Sequence, residues 1–216
     1  MEYKYDKKDL NHDLVNYIEN FIFPQYNLNE VGHGIEHILT VIRHSFDIAK
    51  NYNVNMNIVY VVAAYHDIGH HLDSTRHEII SAEIMIKDKK LKEFFKENEL
   101  EIIKFAIEDH RASNKTKPRN LYGKIISAAD KKLDIKTAIC RTYTYTLTHN
   151  PSFSFDDILN EIYNHLNNKF GKTGYAKIYI KDESFENFKK EIISLLENKD
   201  DFFKLVLKTL KKENLI

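Results

Sequence analysis

With 216 residues the chain can bury a substantial core and reads as one large domain, residues 1–216, rather than two small ones. Lys plus Arg and Asp plus Glu both number 32, so the formal net charge is zero and no long basic block stands ready to follow a phosphate backbone; nucleic acid is not an expected partner. The single cysteine, Cys140, excludes an intrachain disulfide and a thiolate cluster, Met1 to Lys8 holds no apolar stretch of signal-peptide type, and the run Ile58 to Tyr65 falls far short of the ~20 residues of a membrane span, so a cytoplasmic protein without membrane contact is expected.

Leu10, Leu14, Ile18, Phe21 and Ile22 recur at helical spacing and Pro24 follows as a stop, which predicts a first helix. A second runs from about Ile35 to Tyr52, with Ile38, Val41, Ile42, Ser45, Ile48 and Ala49 on one face and His37 near its beginning. A third spans about Asn57 to His70. Thr75-Arg76-His77-Glu78 has the form of a capping box, which puts His77 in the first turn of a fourth. Asn98 and Glu101 open a further helix through Ile102, Ile103, Phe105, Ala106 and Ile107, with His110 at its end.

Beyond Pro118 a long helix starts near Asn120, carries Asp130 in the middle of an apolar run, continues past Leu133 and bends near Asp134. Ser154-Phe155-Asp156-Asp157 starts an amphipathic helix that ends at Gly171, where a left-handed glycine suits a helix C-terminus. Tyr175 to Ile180 is the one candidate extended segment or short strand, and Asp182 opens a last helical region. The fold class is all-α, without an internal repeat, heptad array or low-complexity linker.

His66-Asp67 closes the run Val61-Val62-Ala63-Ala64-Tyr65, so a carboxylate is carried into a core by an apolar helix. An unpaired buried charge costs roughly several kcal/mol, and a bound cation is the most economical partner. Neighbours on a helix lie ~100° apart, so both side chains can meet one ion. With His37 and Asp130 they give two imidazoles and two carboxylates, a set suited to Fe, Mn, Co, Ni or Zn rather than to Ca. The bland alternatives are a buried ion pair for the dyad, pairing with Lys131 or Lys132 for Asp130, and capping or dipole contacts for His77 and His110. His33, one turn from His37, competes with it as a ligand or contacts substrate.

The order His37, His66-Asp67, His77, His110, Asp130 resembles the HD-domain superfamily of metal-dependent phosphohydrolases. Gly34 to Val41 is similar to the family's first-histidine segment and Ser127 to Asp134 to the segment with its last aspartate, over a likeness spanning about residues 30 to 150. The resemblance implies a helical bundle with its core at about 30–150 and extra C-terminal helices at about 151–216. It implies one or two divalent ions, the second held by His77 and His110 with Asp67 as bridge.

The expected reaction is hydrolysis of a small-molecule phosphate ester or anhydride, a nucleotide in the first instance. Asp67 bridges the ions or orients the nucleophilic water, Arg111, Lys131 and Arg76 offset phosphate charge, and His33, Arg76 and His70 contact substrate. Two other activities stay open: a mixed-valent di-iron oxygenase and a module that senses a nucleotide without turning it over. The Gly-Tyr-Pro signature of cyclic-dinucleotide phosphodiesterases is missing. The oligomeric state is open, a homodimer included.

Overall fold

The computed structural model describes residues 3–30, 32–131 and 134–216, along which ten α-helices follow one another. They are α1 (His12–Tyr17), α2 (Ile35–Ala49), α3 (Met56–Tyr65), α4 (His77–Lys87), α5 (Glu97–Glu108), α6 (Leu121–Asp130), α7 (Ile135–His149), α8 (Phe155–Phe170), α9 (Glu183–Leu196) and α10 (Lys199–Lys212). No strand occurs among the described residues, and no helix there is long and apolar enough to cross a membrane. The helices group into two compact units. The first takes the chain up to Lys131 together with Ile178–Lys181, the second the remainder.

In the first unit every residue of α3 from Ile58 to Tyr65 is buried. A helix apolar on all sides has to be enclosed, and α2, α5 and α6 pack around it while α4 lies on α5. The N-terminal residues cover the assembly through tyrosines. The Tyr5 hydroxyl meets those of Tyr60 at 2.6 Å and the carboxylate of Glu19 at 2.7 Å, and Tyr26 donates to the Ala64 carbonyl at 2.8 Å.

Several elements depart from the expectation. The first helix is α only to Tyr17, then a π-helical turn at Ile18–Ile22 and a 3-10 segment at Phe23–Leu28. Pro24 stands inside that segment's first turn instead of stopping the chain, because a missing N–H costs nothing where no intrahelical acceptor awaits it. α3 ends at Tyr65, five residues short of His70, and the dyad opens a series of turns in which Tyr65, Asp67 and Gly69 accept from Ile68, His70 and Leu72.

The capping box at Thr75 does not form. Asp73 accepts from both the Thr75 amide and hydroxyl, at 2.8 and 2.6 Å, and α4 starts behind Arg76 without a side-chain cap. The long helix is two helices: α6 ends at Asp130, and Asp134 caps α7 by accepting from the Thr137 amide at 2.7 Å. Lys132 and Leu133, expected within that helix, lie outside the described residues.

In the second unit α7 packs on α8, and α9 and α10 complete the group. α8 starts at the expected Ser154 to Asp157 stretch, where Ser154 and Asp157 cap each other reciprocally. Gly171 ends α8 at φ −59°, not in the left-handed region; its need is for space, since a Cβ there would lie 2.5 Å from the Asn167 carbonyl oxygen. The segment expected to extend at 175–180 builds no strand. Its amides at Tyr175 and Ala176 go to the carbonyls of Asn168 and Lys169 at the end of α8.

Candidate metal centre

Five elements of the first unit deliver the donors to one place. His37 comes from the first turn of α2, His66 and Asp67 from the end of α3, His77 from the start of α4, His110 from just beyond α5, and Asp130 from the end of α6. Helix ends serve this purpose because their outermost carbonyls and amides are unclaimed and can hold a side chain. Three imidazoles each donate to a carbonyl three residues back: His66 Nδ1 to Ala63 at 2.8 Å, His77 Nδ1 to Ser74 at 2.9 Å and His110 Nδ1 to Ile107 at 2.6 Å. A carbonyl only accepts, so Nδ1 carries the hydrogen and Nε2 is left as the donor atom.

Those Nε2 atoms converge on Asp67. Its Oδ2 lies 3.5 Å from His66 Nε2 and 3.5 Å from His37 Nε2, and its Oδ1 lies 3.3 Å from His77 Nε2 and 3.4 Å from His110 Nε2. Asp130 Oδ1 joins the first set, 3.2 Å from His37 Nε2 and 3.9 Å from His66 Nε2. The result is two half-sites sharing one carboxylate, one oxygen to each. His37 with His66 and Asp130, and His66 with Asp67 and His110, are spaced to hold an ion.

Burial sets the charges. His66 is fully enclosed, which pulls its imidazole down to about 4, and burial lowers His77 as well. Burial pushes the Asp67 and Asp130 carboxyls up, but the imidazoles around them outweigh it and hold both well below the usual carboxylate range. His110 is pulled down by burial and raised on balance by Asp67 beside it. At neutral pH the cluster is two carboxylates among imidazoles, a donor set for a divalent cation.

The other expected site residues fare differently. His33 does reach the cluster, its Nδ1 2.9 Å from Asp67 Oδ2, and it stacks on His70 with ring centroids 3.9 Å apart. His33, His37 and Asp67 form a further group spaced to hold an ion, so both histidines lie within reach of Asp67. His70 lies 5.1 Å from the His77 ring and 3.8 Å from Glu30. Arg76 is exposed and its side chain touches none of the six donors. Arg111 turns to the Thr75 carbonyl and, at 3.4 Å, to Glu78, while the Lys131 ammonium is buried against Ser127 and the His110 carbonyl.

Two residues carry weight that the sequence did not announce. Asn29 donates to the carbonyls of Asp67 at 3.0 Å and His33 at 2.9 Å and accepts from the His71 amide at 3.1 Å, so one amide ties the His33 segment to the dyad turn. Gly69 lets α4 approach that turn. A Cβ there would sit 2.7 Å from Ile80 Cγ2 and 2.9 Å from the Ser81 amide, and the Gly69 amide donates to Ser81 Oγ at 3.0 Å. Glycine two residues beyond a His-Asp pair was the available signal.

Comparison with known proteins agrees with this geometry. Residues 34–133 match the family model described as HD domain. A crystal structure of a predicted HD superfamily hydrolase from an uncultured Thermotogales bacterium is similar in fold over 92% of each chain, with a TM-score of 0.55 and 18% sequence identity. No curated protein matches the chain. The matched span carries His37, His66, Asp67, His77, His110 and Asp130, the six donors gathered above.

Proposed function

We propose that the protein is a metal-dependent phosphohydrolase that cleaves a small phosphate ester or anhydride, a nucleotide in the first instance. One observation carries this reading: Asp67 stands between two imidazole sets and gives one oxygen to each. The donors fit a pair of divalent ions. His66 Nε2 and Asp67 Oδ1 are buried without a hydrogen-bond partner, an arrangement that costs about 1–3 kcal/mol per group unless a ligand completes it. Divalent ions held by these residues would supply Lewis acidity toward a phosphate oxygen and a lowered pKa of bound water.

The chain's own residues do the rest. His37, His66 and Asp130 would hold one ion, and His77 and His110, 3.3 and 3.4 Å from Asp67 Oδ1, the other, with Asp67 shared and ionised at neutral pH. His33, the more exposed of the cluster's rings and stacked on the buried His70, offers an imidazole edge to the oxygens of an incoming phosphate. Phosphate release is the test, with the full chain loaded with Mn, Fe, Co, Ni or Zn and offered nucleoside mono-, di- and triphosphates and simple phosphate esters. Turnover that disappears in Asp67→Asn is the expected result. A protein that consumes dioxygen in its iron form, or is stabilised by nucleotides without product under every metal, would overturn the assignment.

A further inference from the structure

We propose, resting on the binuclear reading above, that Lys131 and Arg111 are positioning residues that assemble the second half-site. Each directly follows a donor, where sequence reasoning set it to neutralise phosphate, yet each spends its hydrogen bonds on protein. Lys131, next to Asp130, is 2% exposed and donates to the Ser127 carbonyl at 2.8 Å, to Ser127 Oγ and to the His110 carbonyl at 3.4 Å. Arg111, next to His110, donates to the Thr75 carbonyl and lies 3.4 Å from Glu78 Oε2. Thr75 belongs to the turn whose Ser74 carbonyl fixes the His77 ring.

A chain of grips results. The cation after Asp130 holds the backbone of His110, and the cation after His110 holds the backbone beside His77. His77 Nε2 and His110 Nε2 are thereby kept 3.2 Å apart although they come from separate helices. With both Nδ1 atoms donating to carbonyls, two lone-pair edges face each other at that distance, and only a proton or a cation between them makes the approach favourable. Groups that orient ligands in this indirect way typically change metal affinity by about 10–100-fold when removed.

The experiment titrates the full chain with Mn(II), reading bound metal by elemental mass spectrometry and the spin-coupled pair by electron paramagnetic resonance, beside the melting temperature of each metal-free protein. The wild type should take up about two equivalents. Arg111→Met and Lys131→Met should keep the first, bind the second about 10–100-fold more weakly and replace the coupled signal by an isolated one. Arg111→Lys keeps the charge without the planar grip and should behave like Arg111→Met, whereas Arg76→Met, beside His77 but out of contact, should retain both ions. Should Lys131→Met melt early, the half-exposed Arg111 decides alone. Variants at Arg111 that keep both ions and the coupled signal while only KM rises overturn the proposal and return Arg111 to the phosphate. A wild type that never exceeds one equivalent overturns the binuclear reading as well.

Discussion

Replacing Gly69 by alanine tests how closely α4 must approach the dyad turn. The added methyl meets Ile80 Cγ2 at 2.7 Å, Ile80 Cβ at 3.0 Å and the Ser81 amide nitrogen at 2.9 Å. None of these yields cheaply: Ile80 is β-branched and stiff at χ1 on a helix, and Ser81 contributes backbone. α4 must therefore back away, at an overpacking cost of about 1–3 kcal/mol. The bond from the Gly69 amide to Ser81 Oγ, 3.0 Å long, stretches with it and gives up about 1 kcal/mol. Alanine's smaller unfolded-state freedom offsets about 0.4–1 kcal/mol.

A net loss of about 1–3 kcal/mol corresponds to a melting point lower by about 3–10 °C for a chain of this size. Because His77 is the first residue of α4, the second half-site should loosen in step. Scanning calorimetry of the metal-free protein and metal analysis of the loaded one check both consequences. A variant that melts within about 1 °C of wild type and holds its full metal complement would show that α4 has slack and that this packing account is wrong.

His77→Ala and His110→Ala should each lower bound metal from about two equivalents to about one, read by elemental analysis; equal loss of both ions would mean that the halves do not fill separately. His165 on α8 is pulled by burial from 6.5 to about 4. Its folded value lies below its unfolded one, so the unfolded chain binds the proton first. The stability His165 supports is complete above about pH 6.5 and drains away as pH falls toward 4, by about 1–2 kcal/mol after allowance for its partial exposure. Urea midpoints at pH 7.5 and 4.5 should therefore differ less in His165→Gln than in wild type, and an unchanged difference would remove His165 as a cause. Ser154→Ala should cost about 1 kcal/mol through loss of the α8 cap. Asn29→Ala should cost about 2 kcal/mol through its lost hydrogen bonds to Asp67, His33 and His71 and also weaken metal binding, which a purely structural loss would spare.

Much of the centre was legible because its residues conflict with their surroundings. An Asp in the run that builds α3, or at the end of the apolar face of α6, has no reason to be there unless something compensates it, and both converge on the same point as His37. Helix cores were legible for the opposite reason: the spacing of Ile38, Val41, Ile42 and Ile48 agrees with the face α2 buries. Helix ends were not. Thr75 and Glu78 fit a capping box by pattern, but Asp73, two residues before Thr75, competes for its amide and hydroxyl, and Arg111 is brought to Glu78 by the packing of α4 on α5, which no local window shows. Arg111 and Lys131 show the same limit. Sequence fixes which residue adjoins a donor, whereas the direction taken by a long side chain is decided by the carbonyls that the fold leaves open around it.

The three imidazoles anchored to a carbonyl three residues back have a consequence for how the centre responds to damage. Each ring takes its aim from its own stretch of chain: His66 from Ala63, His77 from Ser74, His110 from Ile107. The chemical identity of each donor atom is thus a local property, and only the spacing between donors is a global one. A substitution that shifts α4 or α5 bodily changes the separations while every ring still presents the same nitrogen. Such variants should fail by degrees, trading affinity or preferring an ion of another radius, where loss of a donor fails outright. A centre built this way should be tunable through its packing without its donors being touched.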